Sequence, residues 1–148
     1  MIMRTAITSA ALLLLAIGMG ACGSGEPAAD DRSAAARERP DPVVQVAAQA
    51  GRYVDAVNRR DLDALVESFA PGGKIVDVSR EIGGRPAIRD WARAEVIGGR
   101  LEVLSVTRTA GGQDLLVHWA PRGGTGWRAH YRFTFQGDRI ALADLQYA

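Results

Sequence analysis

The hydrophobic period changes once along this 148-residue chain, at Gly98-Gly99, and that change constrains the fold more than any other feature. On the N-terminal side apolar residues recur at Val43, Val46, Ala47, Ala50, Tyr53, Val54 and Val57, the spacing of one helical face. Asp41-Pro42 predicts the start of that helix, a side-chain cap followed by proline at the first helical position, and Arg59-Arg60 ends the stripe. Asp61 is read as the cap of a second, shorter helix with Leu62, Leu65, Val66 and Phe69 inward, stopped by Pro71-Gly72-Gly73. Lys74 to Ser79 is a β-rich run, Gly83-Gly84 a turn, and Pro86 the start of a third helix with Ile88, Trp91, Ala92, Glu95 and Val96 on its periodic face. Beyond Gly98-Gly99 the pattern alternates, placing Leu101, Val103, Ser105 and Thr107 on one side of a strand. Strands at Leu115 to Ala120, Trp127 to Phe135 and Arg139 to Tyr147 follow, punctuated by Gly111-Gly112, Gly123-Gly124 and Gly137-Asp138. A helical half followed by consecutive strands predicts an α+β fold with three N-terminal helices on one face of an antiparallel sheet.

The first 40 residues obey different rules. Arg4 supplies a short positive region, Ala10 to Ile17 an apolar run, and Met19-Gly20-Ala21-Cys22 two small residues before the only cysteine. This is the layout of a secretory signal, and it resembles a bacterial lipobox, in which the cysteine becomes the lipidated first residue of the mature chain. The run is too short for the roughly 20 residues of a spanning helix. The expected organisation is a signal peptide at 1–21, lipidation at Cys22, a tether at 22–40 and one domain at 41–148. The expected location is the extracytoplasmic face of the cell membrane, reached through lipid. Between Cys22 and Pro40 no hydrophobic residue exceeds alanine in size, so the tether cannot bury enough apolar surface to offset its ordering entropy and is expected to be disordered.

Composition excludes several classes. A lone cysteine makes no internal disulfide and no thiol cluster for a metal. His118 and His130 lack the close spacing of a zinc motif, so no metal and no cofactor is expected. The formal net charge is +1 and Lys74 is the single lysine, which argues against nucleic acid.

The domain resembles the nuclear transport factor 2-like superfamily, in its polyketide cyclase and ketosteroid isomerase branch. The resemblance runs from Val44 to Ala148 and rests on Tyr53-Val54-Asp55-Ala56-Val57-Asn58, Asp61-Leu62-Asp63-Ala64-Leu65, Phe69-Ala70-Pro71 and Ile75-Val76-Asp77, then Gly84 to Arg89 and the closing strands Phe133 to Tyr147. It implies a cone: helices closing one face of a curved sheet around an apolar pocket. It also implies two-fold pairing through the outer sheet face, hence a homodimer.

Two residues match the isomerase's working groups in type and separation, Asp77 as the base that takes a proton beside a carbonyl and Tyr53 as a donor to the developing oxyanion. The match breaks at the third group. The isomerase's protonated acid falls at Ala129 or Tyr131, depending on register, and neither is a carboxylic acid. Loss of one oxyanion donor costs about 100- to 1,000-fold, so the resemblance does not carry ketosteroid isomerase activity with it. Each candidate has a structural reading beside the functional one. Tyr53 lies on an apolar stripe and can be a packing tyrosine; Asp77, sharing a strand face with Ile75, can pair with an arginine such as Arg85 or Arg89, since an inward carboxylate is costly unless paired. Trp91, Trp119 and Trp127 read as core first and pocket wall second, and Tyr131 as core or donor. His118 and His130 fall on an exposed or interface face, and Arg52, Arg59 and Arg60 on a solvated helix face.

The ligand-contacting set is therefore Tyr53, Asp77, Trp91, Trp119, Trp127 and Tyr131. The leading functional expectation is a membrane-tethered binding module for a small hydrophobic ligand or peptide. The alternatives are an isomerase, cyclase or dehydratase with Asp77 as general base, and a dimerising subunit of an envelope complex.

If Cys22 carries the lipid, Cys22→Ser leaves the chain unprocessed or releases it from the membrane fraction. Detergent partitioning unchanged by the substitution, together with a mature N-terminus other than Cys22, refutes the lipid anchor.

Overall fold

Helix α1 (Ala48–Arg59) is the element on which the domain is assembled, and side-chain hydrogen bonds to distant strands fix both of its ends. The structure is a computed structural model and describes residues 44–148. The expected signal segment 1–21, Cys22, the tether 22–40 and the Asp41-Pro42 cap lie outside the described residues. Ala47, the residue before the helix, has no side chain able to cap it. Gln113, almost fully buried, substitutes: its Oε1 accepts from the Ala47 N–H at 2.8 Å while its Nε2 donates to the Gln45 carbonyl at 2.8 Å. The segment before the helix is thereby held non-helical, and Val46, expected on the buried stripe, is 36% exposed. At the other end Asn58 exchanges two 2.9 Å hydrogen bonds with the backbone of Leu101, which ties the last turn of α1 to the first core residue of strand β3. Arg60 closes the helix in the left-handed conformation, φ 62°.

Asp61 caps α2 (Leu62–Glu67) as expected, its Oδ1 accepting from the Ala64 N–H at 2.9 Å. The helix stops earlier than its apolar pattern suggests. Phe69 belongs to β1 (Phe69–Asp77), and Pro71-Gly72-Gly73 is not a helix stop but an irregularity inside that strand, where the register with β6 slips between Phe69 and Lys74. A two-residue turn at Val78-Ser79 leads into β2 (Arg80–Gly83), a short strand that the sequence pattern does not announce. Helix α3 (Gly84–Trp91) runs into a π-helical turn at Ala92–Val96. The wider turn shifts the period, and Glu95, expected on the buried face, comes out exposed instead.

The strands β3 (Arg100–Thr109), β4 (Gly112–Ala120), β5 (Trp127–Gln136) and β6 (Arg139–Tyr147) complete a curved sheet that does not close, in the order β2-β1-β6-β5-β4-β3. Every pairing is antiparallel except β1 with β6, which is parallel. A bulge between Val103 and Ser105 reverses the faces of β3, so Val106 packs on the core while Ser105 and Thr107, expected to share a side with Leu101, are exposed. The class is α+β, and the architecture is a cone.

The inward face of the sheet presents Leu115, Val117, Tyr131, Phe133, Ile140 and Ala143 to the Ala50, Tyr53 and Val57 stripe of α1. Tyr53 sits at the centre, its ring 6.0 Å from Phe69, 6.2 Å from Tyr131 and 5.4 Å from Phe133, mostly edge to face. Each such pair contributes about 0.5–1.5 kcal/mol beyond its buried area. No described helix is long and apolar enough to cross a membrane.

Removing the Gln113 amide orphans a backbone donor and a backbone acceptor together. Gln113→Ala is expected to cost about 2–3 kcal/mol, read as a lower urea midpoint. A loss under about 0.5 kcal/mol, the range of ordinary surface changes, would show that the segment before α1 is not held this way.

Candidate functional site

The site is a cavity of about 400 Å³ at the open end of the cone, between the π-helical turn and the ends of strands β1, β4, β5 and β6. Asp77 lies on its wall because β1 ends there. The turn that follows is strained: Val78, a β-branched residue, has φ 58°. Two hydrogen bonds hold it, from its N–H to the Leu145 carbonyl and from Gln146 Nε2 to its own carbonyl, both at 2.9 Å. A strained residue persists where its surroundings over-determine it, and this one fixes the relative placement of Asp77 and Arg80.

Those two side chains meet. Arg80 Nη2 donates to Asp77 Oδ2 at 2.6 Å, and the same guanidinium grips Glu95 through both nitrogens, at 2.9 and 2.7 Å. The Trp91 indole N–H also donates to Asp77 Oδ2, at 3.3 Å. The hydrogen bonds that Arg80 donates to Glu95 and then to Asp77 push its already high pKa further up. The arginines considered as partners from sequence are employed elsewhere. Arg85 donates to the Phe69 carbonyl through Nε and Nη2, and Arg89 pairs with Asp63 at 2.7 Å. Arg80 replaces them because a two-residue turn sets it directly opposite Asp77 across the hairpin.

Of the six residues expected to contact a ligand, Asp77, Trp91, Trp119, Trp127 and Tyr131 line the cavity and Tyr53 does not. Tyr53 is fully buried one layer behind Tyr131, and its hydroxyl finds no hydrogen-bond partner among the described residues. Its pKa is raised well above the ordinary 10.0, by burial first and then by Tyr131 and Asp77. Tyr131 is shifted up in the same way, by burial and then Asp77. Trp127, read as core, is 42% exposed and packs against Tyr147 with ring centroids 5.9 Å apart at the cavity mouth. Trp119 is seated by glycine: a Cβ on Gly99 would stand 2.2 Å from its ring, and Gly126, at φ +81°, passes so close that a Cβ there would stand 2.1 Å from its carbonyl oxygen.

Glu95, Arg80 and Tyr147 are the site residues that the sequence reading passed over. Arg80 and Tyr147 carried a usable signal, the i,i+3 spacing from Asp77 and the alternation with Leu145 on β6, whereas the π-helical turn that delivers Glu95 carried none. Ala129 and Tyr131, the positions considered for the isomerase's acid, both line the cavity, so no carboxylic acid occupies that part of the wall. His118 and His130 lie on the outer sheet face, where His130 Nδ1 is 2.9 Å from Asp114 Oδ1. No group of three potential ligands suited to a metal occurs among the described residues.

The sequence model of the SnoaL-like domain matches residues 50–143, more than half the chain. The chain belongs to the SnoaL-like family. No curated protein sequence matches it significantly. Among solved structures, this SnoaL-like chain is similar to a candidate polyketide cyclase from Sinorhizobium meliloti, with 27% identity over 68% of this chain and 95% of the other and a TM-score of 0.61. A candidate ketosteroid isomerase from Kribbella flavida shares the fold at 14% identity, over 68% of this chain and 76% of the other, with a TM-score of 0.60. A computationally designed 17-OHP binder shares it at 9% identity, over 68% and 88% of the two chains, with a TM-score of 0.62.

Two consequences of the Tyr53 environment are measurable. Tyr53→Phe removes an unpaired buried hydroxyl and keeps the ring, so the variant is expected to be as stable as the parent or more so by about 1 kcal/mol. Because Tyr53 and Tyr131 ionise more easily unfolded than folded, the stability they contribute is intact below pH 10 and declines as pH rises above it. A destabilised Tyr53→Phe, or alkaline titration of all three tyrosines in the folded protein near pH 10, contradicts this arrangement.

Proposed function

We propose that the chain is a lipid-tethered, extracytoplasmic binding module whose cavity holds a small ligand with a largely apolar body. The observation that carries this reading is the engagement of Asp77. A general base must reach the proton it removes, and the Oδ2 of Asp77 is already occupied by Arg80 and the Trp91 indole. The carboxylate is thereby suited to orienting a ligand. The donor pair expected for an oxyanion is also broken, since Tyr53 lies behind the wall and of the two only Tyr131 lines the cavity. The names of the Sinorhizobium and Kribbella proteins favour an isomerase or cyclase, the second reading, and Asp77 and Tyr131 on one wall are the residues that it would use.

Aromatic walls supply the affinity in the binding reading. Covering about 200 Å² of apolar ligand surface contributes roughly 5 kcal/mol, before the costs of immobilising the ligand. The Trp127–Tyr147 pair flanks the cavity mouth, and the buried wall at Ala129 and Leu145 sets the depth.

The test is ligand content. Mass spectrometry of small molecules extracted from the full chain, purified from a bacterial envelope, is expected to find a compound that Ala129→Leu, a substitution filling the back of the cavity, reduces by an order of magnitude or so (about 1–2 kcal/mol of steric cost). A compound retained equally by both, or none in either, counts against the binding module. Turnover of a polyketide or steroid ketone that Asp77→Asn abolishes without loss of binding would establish the enzyme instead.

A further inference from the structure

The cavity wall combines rings and charge in a way that its size alone does not require. Trp91, Trp119, Trp127, Tyr131 and Tyr147 place five aromatic rings on it, and its two charged side chains are Asp77 and Glu95; no lysine or arginine lines it. Arg80 binds both carboxylates from outside the wall, so one positive charge faces two negative ones and the mouth retains a negative charge. An anionic ligand would meet that charge with no cation on the wall to receive it. A cation would meet the carboxylates beside indole and phenol rings, whose quadrupoles attract positive charge.

The hydrogen bonding narrows the class further. Both oxygens of Glu95 accept from Arg80, and Asp77 Oδ2 accepts from Arg80 and Trp91. Among the described residues only Asp77 Oδ1 of the four carboxylate oxygens has no donor, so the pair offers charge more than vacant acceptor sites. A primary ammonium needs acceptors for three N–H groups, whereas a quaternary ammonium presents a diffuse charge clothed in methyl groups and needs none.

We infer that the cavity selects an organic cation of the quaternary ammonium type, carried on an apolar or weakly polar body. This rests on the cavity being a ligand site and names the ligand's class. All three tryptophans of the chain lie on the wall, so intrinsic fluorescence reports on it directly.

The experiment titrates the full chain with choline, with 3,3-dimethylbutan-1-ol, its neutral carbon isostere, and with 3,3-dimethylbutanoate, following tryptophan fluorescence and heat. Choline is expected to bind about tenfold more tightly than the alcohol, with an affinity that falls as salt is raised. Glu95→Gln, a change at a half-exposed rim residue that the fold tolerates, is expected to bring the choline-to-alcohol ratio down toward one. An alcohol that binds as tightly as choline, a preference for the butanoate, or a ratio unchanged in Glu95→Gln overturns the inference and leaves the pocket reading standing. Binding by none of the three at millimolar concentration removes both.

Discussion

Two side-chain amides, one buried and one at the surface, carry the geometry of this domain. Gln113 and Asn58 each imitate a strand neighbour, offering one acceptor and one donor to backbone groups that have no other partner. With these in place the Tyr53 stripe of α1 can only meet the inward face of β4 and β5, and the open end of the cone is left between the π-helical turn and the strand ends. Hydrophobic burial supplies most of the stabilisation, but it is non-directional. The amides decide where along the sheet the helix is seated.

The cavity therefore depends on contacts made at its edges. Asp77 and Arg80 face each other because Val78 accepts an unfavourable backbone conformation, and Leu145 and Gln146 hold it there. Glu95 joins them because a π-helical turn carries it out of the stripe. Trp119 occupies its place because glycines leave room beside it. None of these devices buries much area, yet together they define what the wall presents to a ligand.

Much of the fold was legible in the sequence because periodicity reports burial. The helical stripe, the Asp61 cap and the four C-terminal strands follow from residues that must face a core. Three stretches that were not legible share one physical cause, an added or displaced residue that alters the count: the bulge at Leu104, the irregular Pro71-Gly72-Gly73 stretch and the π-helical turn each shift a face without changing composition. The short strand β2, four residues long, is too brief to set up an alternation, and the parallel pairing of β1 with β6 was hidden because partners far apart in sequence leave no local trace. At the site, residue type drew attention to Asp77 and the tryptophans, whereas Tyr53 matched a catalytic pattern and sits behind the wall, and the arginine beside Asp77 came from the hairpin partner and not from α3.

That parallel pairing orders events in the making of the protein. Strand β6 is synthesised after every other described strand, yet it lies third in the sheet, joining the β1–β2 hairpin to the β3–β5 meander. Until residues 139–147 arrive, Ile75 and Tyr131 have no strand between them, and the sheet exists only as two separate pieces. Closure thus waits on residues 139–147, and loop-closure entropy across about 70 residues must be overcome before that contact forms. Without that one strand the two pieces share no hydrogen-bonded edge, so the cooperativity of the sheet is concentrated in residues 139–147.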